Sequence, residues 1–273
     1  MGLFELLLLD NPDARELYFY VDLFFVFVIG LCFGSFASAI IYRIPLGQSW
    51  AASKERSACP ACGSTLGSHD LIPLFSWLLT KGKCRYCSAE ISPIYPALEL
   101  LTAITSITIF LFYSGDIISK YLFILSVPFL ISLLAIDLKH KILPNQLVLI
   151  VGVIGLLVMF AKAFNSDAQA HQLILYYLSS SVVFALFSYA LGMIMKWRLK
   201  RDALGLGDVK FFGVAGLWLG LSEIAMFCMM SGILGIILAV IWKARTGQDV
   251  FPFGPALILS FFLIFLMDGS FFL

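Results

Sequence analysis

Two aspartates stand where aspartate is costly. Asp208 sits in the Gly-rich turn Gly205-Leu206-Gly207-Asp208-Val209-Lys210 at the mouth of one apolar segment, and Asp137 closes another that runs from Ile131. An ionised carboxylate beside hydrocarbon is expensive and usually faces water, a partner or a substrate. Two close carboxylates cannot both ionise easily, so they hold one proton between them and titrate as a pair. The ionised member can take a proton from a water molecule while the protonated member donates to a carbonyl oxygen under attack, which is acid–base hydrolysis. Gly205 and Gly207 let the backbone bend and another chain come close. Lys210 stands ready to neutralise Asp208, to meet a substrate, or to snorkel to the interface. Each aspartate alone has a structural reading, Asp208 as a helix cap and Asp137 as an ion-pair partner of Lys139 or Lys141. Two carboxylates at the same depth on two different segments favour one shared site.

Other hydrolytic constellations are missing from the sequence. There is no G-x-S-x-G elbow and no H-E-x-x-H helix. The three histidines, His69, His140 and His171, are scattered. Only His140, three residues after Asp137, could touch the chemistry, and it reads as a solvated interfacial residue.

A second cluster suits a metal. Cys59-Pro60-Ala61-Cys62 and Cys84-Arg85-Tyr86-Cys87 are two C-x2-C knuckles separated by 21 residues. Each knuckle turns two sulfurs toward one tetrahedral ion, and four thiolates leave no open position, so the metal expected is a structural zinc. Two disulfides are the competing reading, weakened if the loop lies on a reducing side of the membrane. Cys32 and Cys228 lie in apolar segments and read as small buried hydrophobes.

The elements that must position these groups are membrane helices. The chain is 61% hydrophobic and only 13% charged, with mean hydropathy +0.98, far from a soluble composition. Its net charge of +1 says nothing about nucleic acid, and its basic residues are spread among short loops rather than gathered into a nucleic-acid-binding stripe. The stretch from Met1 to Asp10 lacks a basic n-region and does not read as a cleaved signal peptide. Apolar windows of about 20 residues fall at 23–41, 97–113, 117–136, 142–161, 173–195, 203–221, 223–242 and 251–267. The expected fold is therefore all-α, a polytopic bundle of about eight transmembrane helices. Pro252 and Pro255 suit the start of the last one. Fifteen of the eighteen Lys and Arg residues fall on alternate connections, which puts both termini outside and both aspartates on the cytoplasmic face. The long connection, 42–96, needs the zinc as a staple because so few residues cannot build a core alone. The chain divides into an N-terminal segment and first helix (1–41), the cysteine loop (42–96) and a helical core (97–273). No internal repeat stands out.

An ordered set of motifs resembles the bacterial type IV prepilin peptidases, membrane aspartic peptidases of the G-x-G-D kind. Gly34 to Pro45 is similar to the family's first-helix motif, and the two cysteine knuckles follow. Leu71 to Trp77 and Ile91 to Glu99 are similar to the segments flanking the second knuckle. Asp137 with Leu143-Pro144, Gly205 to Lys210 with Gly216 to Gly220, and Pro252 to Pro255 complete the order. The resemblance implies that Asp137 and Asp208 are the catalytic pair. It implies a substrate, the short basic leader of a type IV prepilin or pseudopilin, cut after a glycine on the cytoplasmic side of a bacterial inner membrane. Family members with the cysteine loop commonly also methylate the new amino terminus with S-adenosylmethionine, for which Arg43 and Glu99 are the candidate residues. An Arg43–Glu99 ion pair is the structural alternative. Two positions depart from the pattern: Asn145 stands where aspartate is usual, and Ala37-Ser38 where Leu-Asn is usual, in a region linked to methyl transfer. Two other classes compete, a proton- or cation-coupled transporter using Asp137 and Asp208, and an assembly factor that binds a partner through the cysteine loop.

Overall fold

The structure, a computed structural model, describes residues 12–50, 56–165, 169–200, 204–248 and 250–267. Met1 to Asp10, read above as an uncleaved terminus, and the loop cations Lys54 and Arg201 lie outside the described residues. Helices dominate: α1 (Pro12–Arg43), a short α2 (Phe75–Leu79), α3 (Ile94–Phe112), α4 (Ile117–His140), α5 (Asn145–Phe164), α6 (Ala170–Leu199), α7 (Leu206–Leu219), α8 (Ile224–Thr246) and α9 (Gly254–Leu266). Apart from α2, these are the eight helices expected, in the expected order. Among the described residues, six stretches are long and apolar enough to cross a membrane: Arg15–Leu46, Ile94–Phe112, Ile117–His140, Asn145–Phe164, Ala170–Arg198 and Leu221–Thr246. The protein is a multi-pass membrane protein. Helices α7 and α9 are shorter than their apolar windows, at 14 and 13 residues. At 1.5 Å per residue each is about 20 Å long, short of a hydrocarbon core about 30 Å thick.

The chain forms two compact units. The first comprises Met1–Ser38 with Ser53–Leu111. Within it α1 and α3 meet at glycines, since a Cβ on Gly34 would run into Glu99 Cα and one on Gly30 into Ala103 Cα. Without a hydrophobic driving force in lipid, such close backbone approach is what holds two helices together. Glu99 is buried, and its Oε2 accepts the Leu74 N–H at 2.7 Å. That bond ties the cysteine loop to α3.

The second unit comprises Ala39–Ala52 with Phe112–Leu273. Its core is aromatic: Trp218, Phe123, Phe261 and Phe265 are all nearly inaccessible and meet mostly edge to face, with Phe261 and Phe265 stacked. Trp218 donates its Nε1–H to Val151 O at 3.0 Å, and Gly155 leaves the space the indole occupies. Helix α7 lies against α6 through Gly213 and Gly216, whose Cβ positions meet Ser181, Ala185, Ser180 and Phe184. Short, buried α7 and α9 thus occupy the interior, with longer α4, α5, α6 and α8 packed against them. Cys32 and Cys228 depart from the sequence reading: Cys32 is exposed and Cys228 half-buried. An apolar helix surface facing lipid accommodates a small thiol as readily as a core does.

Candidate active site and metal centre

Asp137 lies in the last turn of α4 and is 4% exposed. The helix ends at Lys141, which adopts the left-handed conformation (φ 56°) and returns its N–H to Asp137 O at 2.8 Å. Asp208 lies in the first turn of α7 and reaches back to its own cap, Oδ2 accepting the Gly205 N–H at 3.1 Å. Glycine has no side chain to reciprocate, so this is half of a capping box.

Leu143 lies between the start of α7, which carries Asp208, and the start of α9. A Cβ on Gly207 would lie 3.1 Å from Leu143 Cβ, and one on Gly254 would lie 3.0 Å from Leu143 Cδ2. Gly254, at the start of α9, donates its N–H to Asp137 Oδ2 at 2.9 Å. The Asp137 and Asp208 carboxylates are close enough to act on each other electrostatically. The structure therefore brings together the two aspartates, Gly205, Gly207 and Leu143, and adds Gly254. The sequence reading quoted Pro252 to Pro255 only as a motif; the signal for a site residue was a glycine between prolines, where a backbone N–H must come close to another group.

Lys210 is placed elsewhere. Its Nζ donates to Asn145 Oδ1 at 2.8 Å, joining the start of α5 to α7. The next residue, Gln146, accepts the Trp50 Nε1–H at 3.0 Å. On the other flank Lys141 Nζ donates to Gln248 Oε1 (2.9 Å) and Val250 O (2.8 Å) and lies 5.6 Å from the centre of the Trp242 ring. Lys141, read from sequence as a possible partner of Asp137, instead clamps the connection that delivers Gly254. His140 is exposed.

The four knuckle cysteines converge as expected. All four Sγ atoms lie within 4.8 Å of one another, and Cys59 and Cys87 are 3.9 Å apart. Tetrahedral zinc with bonds near 2.3 Å separates its sulfurs by about 3.8 Å, so the cluster fits such an ion. All six cysteines are free thiols. The knuckles are local copies of one another, a repeat missed in the sequence because only the cysteines are shared. Each is closed by an antiparallel bridge, Ala58 with Thr65 and Lys83 with Glu90. Equivalent bonds run inside each: Cys59 N–H to Ser64 O and Gly63 N–H to Cys59 O, then Cys84 N–H to Ala89 O and Ser88 N–H to Cys84 O. Hydrogen bonds from Ser64 lower the Cys62 thiol to about 6, and backbone amides of Cys87 and Tyr86 lower Cys84. Cys87 is pushed up to about 12: the backbone bond to Ala89 lowers it, but the neighbouring cysteines and burial together outweigh that. Ready ionisation of part of the set is what a metal needs. Beside the cluster, Arg85 Nε pairs with Asp70 Oδ1 at 3.2 Å.

Comparison with known proteins agrees with this geometry. Residues 28–113 match the bacterial peptidase A24 N-terminal domain, and residues 124–240 match the type IV leader peptidase family. An Escherichia coli "type 4 prepilin-like proteins leader peptide-processing enzyme" is 33% identical, covering 85% of this chain and 88% of its own. Proteins described as prepilin leader peptidase/N-methyltransferase are 30% identical in Pectobacterium carotovorum (89% of this chain, 92% of that one) and in Neisseria gonorrhoeae (89% and 90%). No solved structure matches the chain. Matched along most of its length by relatives of the same kind, and carrying paired aspartates where two helix ends meet, the chain belongs to the type IV leader peptidase family.

Proposed function

We propose that this protein cleaves the leader from type IV prepilins or pseudopilins at the cytoplasmic face of a bacterial inner membrane, with Asp137 and Asp208 as acid and base. The observation that carries this is the meeting of two carboxylates from the end of α4 and the start of α7 around Leu143 and Gly254. The pair holds one proton. The ionised carboxylate takes a proton from water as the oxygen attacks the scissile carbonyl, and the protonated one donates to the carbonyl oxygen. On collapse of the tetrahedral adduct the C–N bond breaks, the carboxyl that took the water's proton passes it to the leaving amine, and a hydroxyl of the adduct returns its proton to the other carboxylate, so the pair ends as it began. Gly205 and Gly207 keep the turn bare so that an extended peptide can approach. Lys210, held by Asn145, fixes α7 against α5 rather than touching Asp208.

A prepilin's apolar helix lies in the bilayer, so a site at helix ends meets the scissile bond without extracting it. Purified protein with a prepilin in detergent tests the reading. Asp137→Asn and Asp208→Asn should each lower cleavage about 10²–10⁴-fold, the usual worth of a general acid or base. Cleavage surviving either change would exclude the pair. Family membership favours this reading over the transporter.

The relatives' second activity is methyl transfer, and we propose it here too. S-adenosylmethionine supplies an electrophilic methyl group, and the protein must present a free amine to it. Arg43 and Glu99 are the residues proposed. Glu99 already receives the Leu74 N–H on Oε2 and a bond from Ser35, so its part would be to hold, not to travel. Arg43→Met or Glu99→Gln should remove the methyl mass from the cleaved product while cleavage persists. The cysteine cluster is proposed as a structural zinc site with no part in either reaction.

A further inference from the structure

The connection between α1 and α3 carries an exposed apolar face. In α2, Phe75, Leu78 and Leu79 share one side at i, i+3 and i+4 spacing, and Leu79 is 80% exposed. Leu71 and Ile72, just upstream, are exposed as well. Trp77 faces the other way: its Nε1–H reaches Ile91 O at 3.1 Å and its ring fills the space over Gly82. Large apolar side chains presented together on a polar loop require a cover.

One hydrogen bond ties this face to α3. Leu74 is held at φ 62°, ψ −52°, with the Phe75 N–H returning to Pro73 O, a tight turn that few residues tolerate. Its own N–H is anchored on Glu99. Glu99 lies inside the first membrane-length turns of α3, which begins at Ile94, so it is only about 7 Å along the helix from that start. A membrane span that starts with α3 would put the base of α2 at the level where α3 emerges from lipid. Ile94 and Tyr95, also exposed, mark the same level. Lys81 and Lys83 follow α2 directly and are exposed. The acids nearby are Asp70, already paired with Arg85, and Glu90, opposite Lys83 in the second knuckle.

We propose that Leu71 to Leu79 is an interfacial anchor, its apolar face set at the headgroup–acyl boundary of an anionic leaflet and Lys81 and Lys83 on lipid phosphates. Such a face binds through apolar burial plus attraction of basic residues to anionic lipid. It holds the metal loop flat at the membrane, whatever its substrate.

The full chain, with Cys32→Ser and Cys228→Ser and metal bound, would be placed in nanodiscs of phosphatidylethanolamine with phosphatidylglycerol, or of phosphatidylcholine. A bimane label is put on Leu79→Cys, and on Glu90→Cys as the polar control. The Leu79 label is expected to emit to the blue, to be quenched by lipid carrying a shallow acyl nitroxide, and to resist aqueous iodide; the Glu90 label should do the reverse. Lys81→Glu with Lys83→Glu should weaken lipid quenching in the anionic discs and leave it unchanged in the neutral ones. Unchanged metal content shows that each variant is folded. The proposal is overturned if iodide reaches both labels alike. It also fails if the Leu79 label is hidden from iodide and nitroxide together, which means protein covers it, or becomes hidden only on adding a prepilin.

Discussion

At Gly254 a single missing methyl group decides whether Asp137 can stay where it is. A Cβ there would lie 2.6 Å from Asp137 Oδ2 and 2.9 Å from Cγ, so either the carboxylate or the start of α9 must move. Displacement of a reacting group by about 1 Å can cost about a hundredfold. Gly254→Ala should therefore lower cleavage by that order with helicity and metal content unchanged, measured by prepilin turnover beside circular dichroism. Lys141 acts one step further out. It holds Gln248 and Val250, and through them the path to Gly254, without touching Asp137 by its side chain. Lys141→Met should lower kcat several-fold and leave KM alone, while Lys141→Arg, which keeps charge and donors, restores part of the rate. A change confined to KM would mean that Lys141 meets the substrate instead. Neither role was legible from the sequence, because the partners lie more than a hundred residues apart; Asp137 and Asp208 were legible because a carboxylate ending an apolar run is conspicuous on its own.

The two knuckles of the metal loop are one element built twice, and they differ at the residue that must turn left-handed. Gly63 takes φ 71° at no steric cost, whereas Ser88 takes φ 59° with a side chain. A left-handed conformation costs a non-glycine residue about 1–2 kcal/mol. Ser88→Gly should then make the loop harder to strip of metal, and Gly63→Ala easier, read as the chelator concentration at half release. Acid should release metal as well. The Cys62 thiol is lowered from 9.0 to about 6, so its thiolate favours the folded loop at neutral pH. A depressed thiol gives stability that is present above its unfolded value and lost as pH falls through its folded one. Because protons compete with a metal for the thiolates, metal retention is expected to fall on the acid side of neutrality. Measured metal content that declines only toward alkaline pH would contradict the thiolate assignment. The cysteine spacing announced this element; its duplication did not, since backbone bonds rather than side chains make the copies alike.

For the whole molecule, helix number and order followed from apolar runs, but helix length did not. The windows 203–221 and 251–267 include residues before the helices that are apolar for packing rather than for lipid, such as Leu204 against Gly192 and Phe253 against Gly235. Short central helices surrounded by longer ones are what let Asp137 and Asp208 sit at helix ends and still be shielded. Sidedness then decides whether the pair can work on a prepilin leader. Most basic residues lie on the connections that share a side with Asp137 and Asp208, and we propose on that ground that this side faces the cytoplasm. In a background of Cys32→Ser and Cys228→Ser, Ser114→Cys lies in the exposed connection between α3 and α4, and Thr246→Cys at the exposed end of α8. A membrane-impermeant maleimide added to intact spheroplasts should label the first and spare the second until the membrane is opened. The reverse pattern would put the carboxylates on the outer face, away from any leader that has not yet crossed, and the peptidase reading could not stand however well the two side chains are placed.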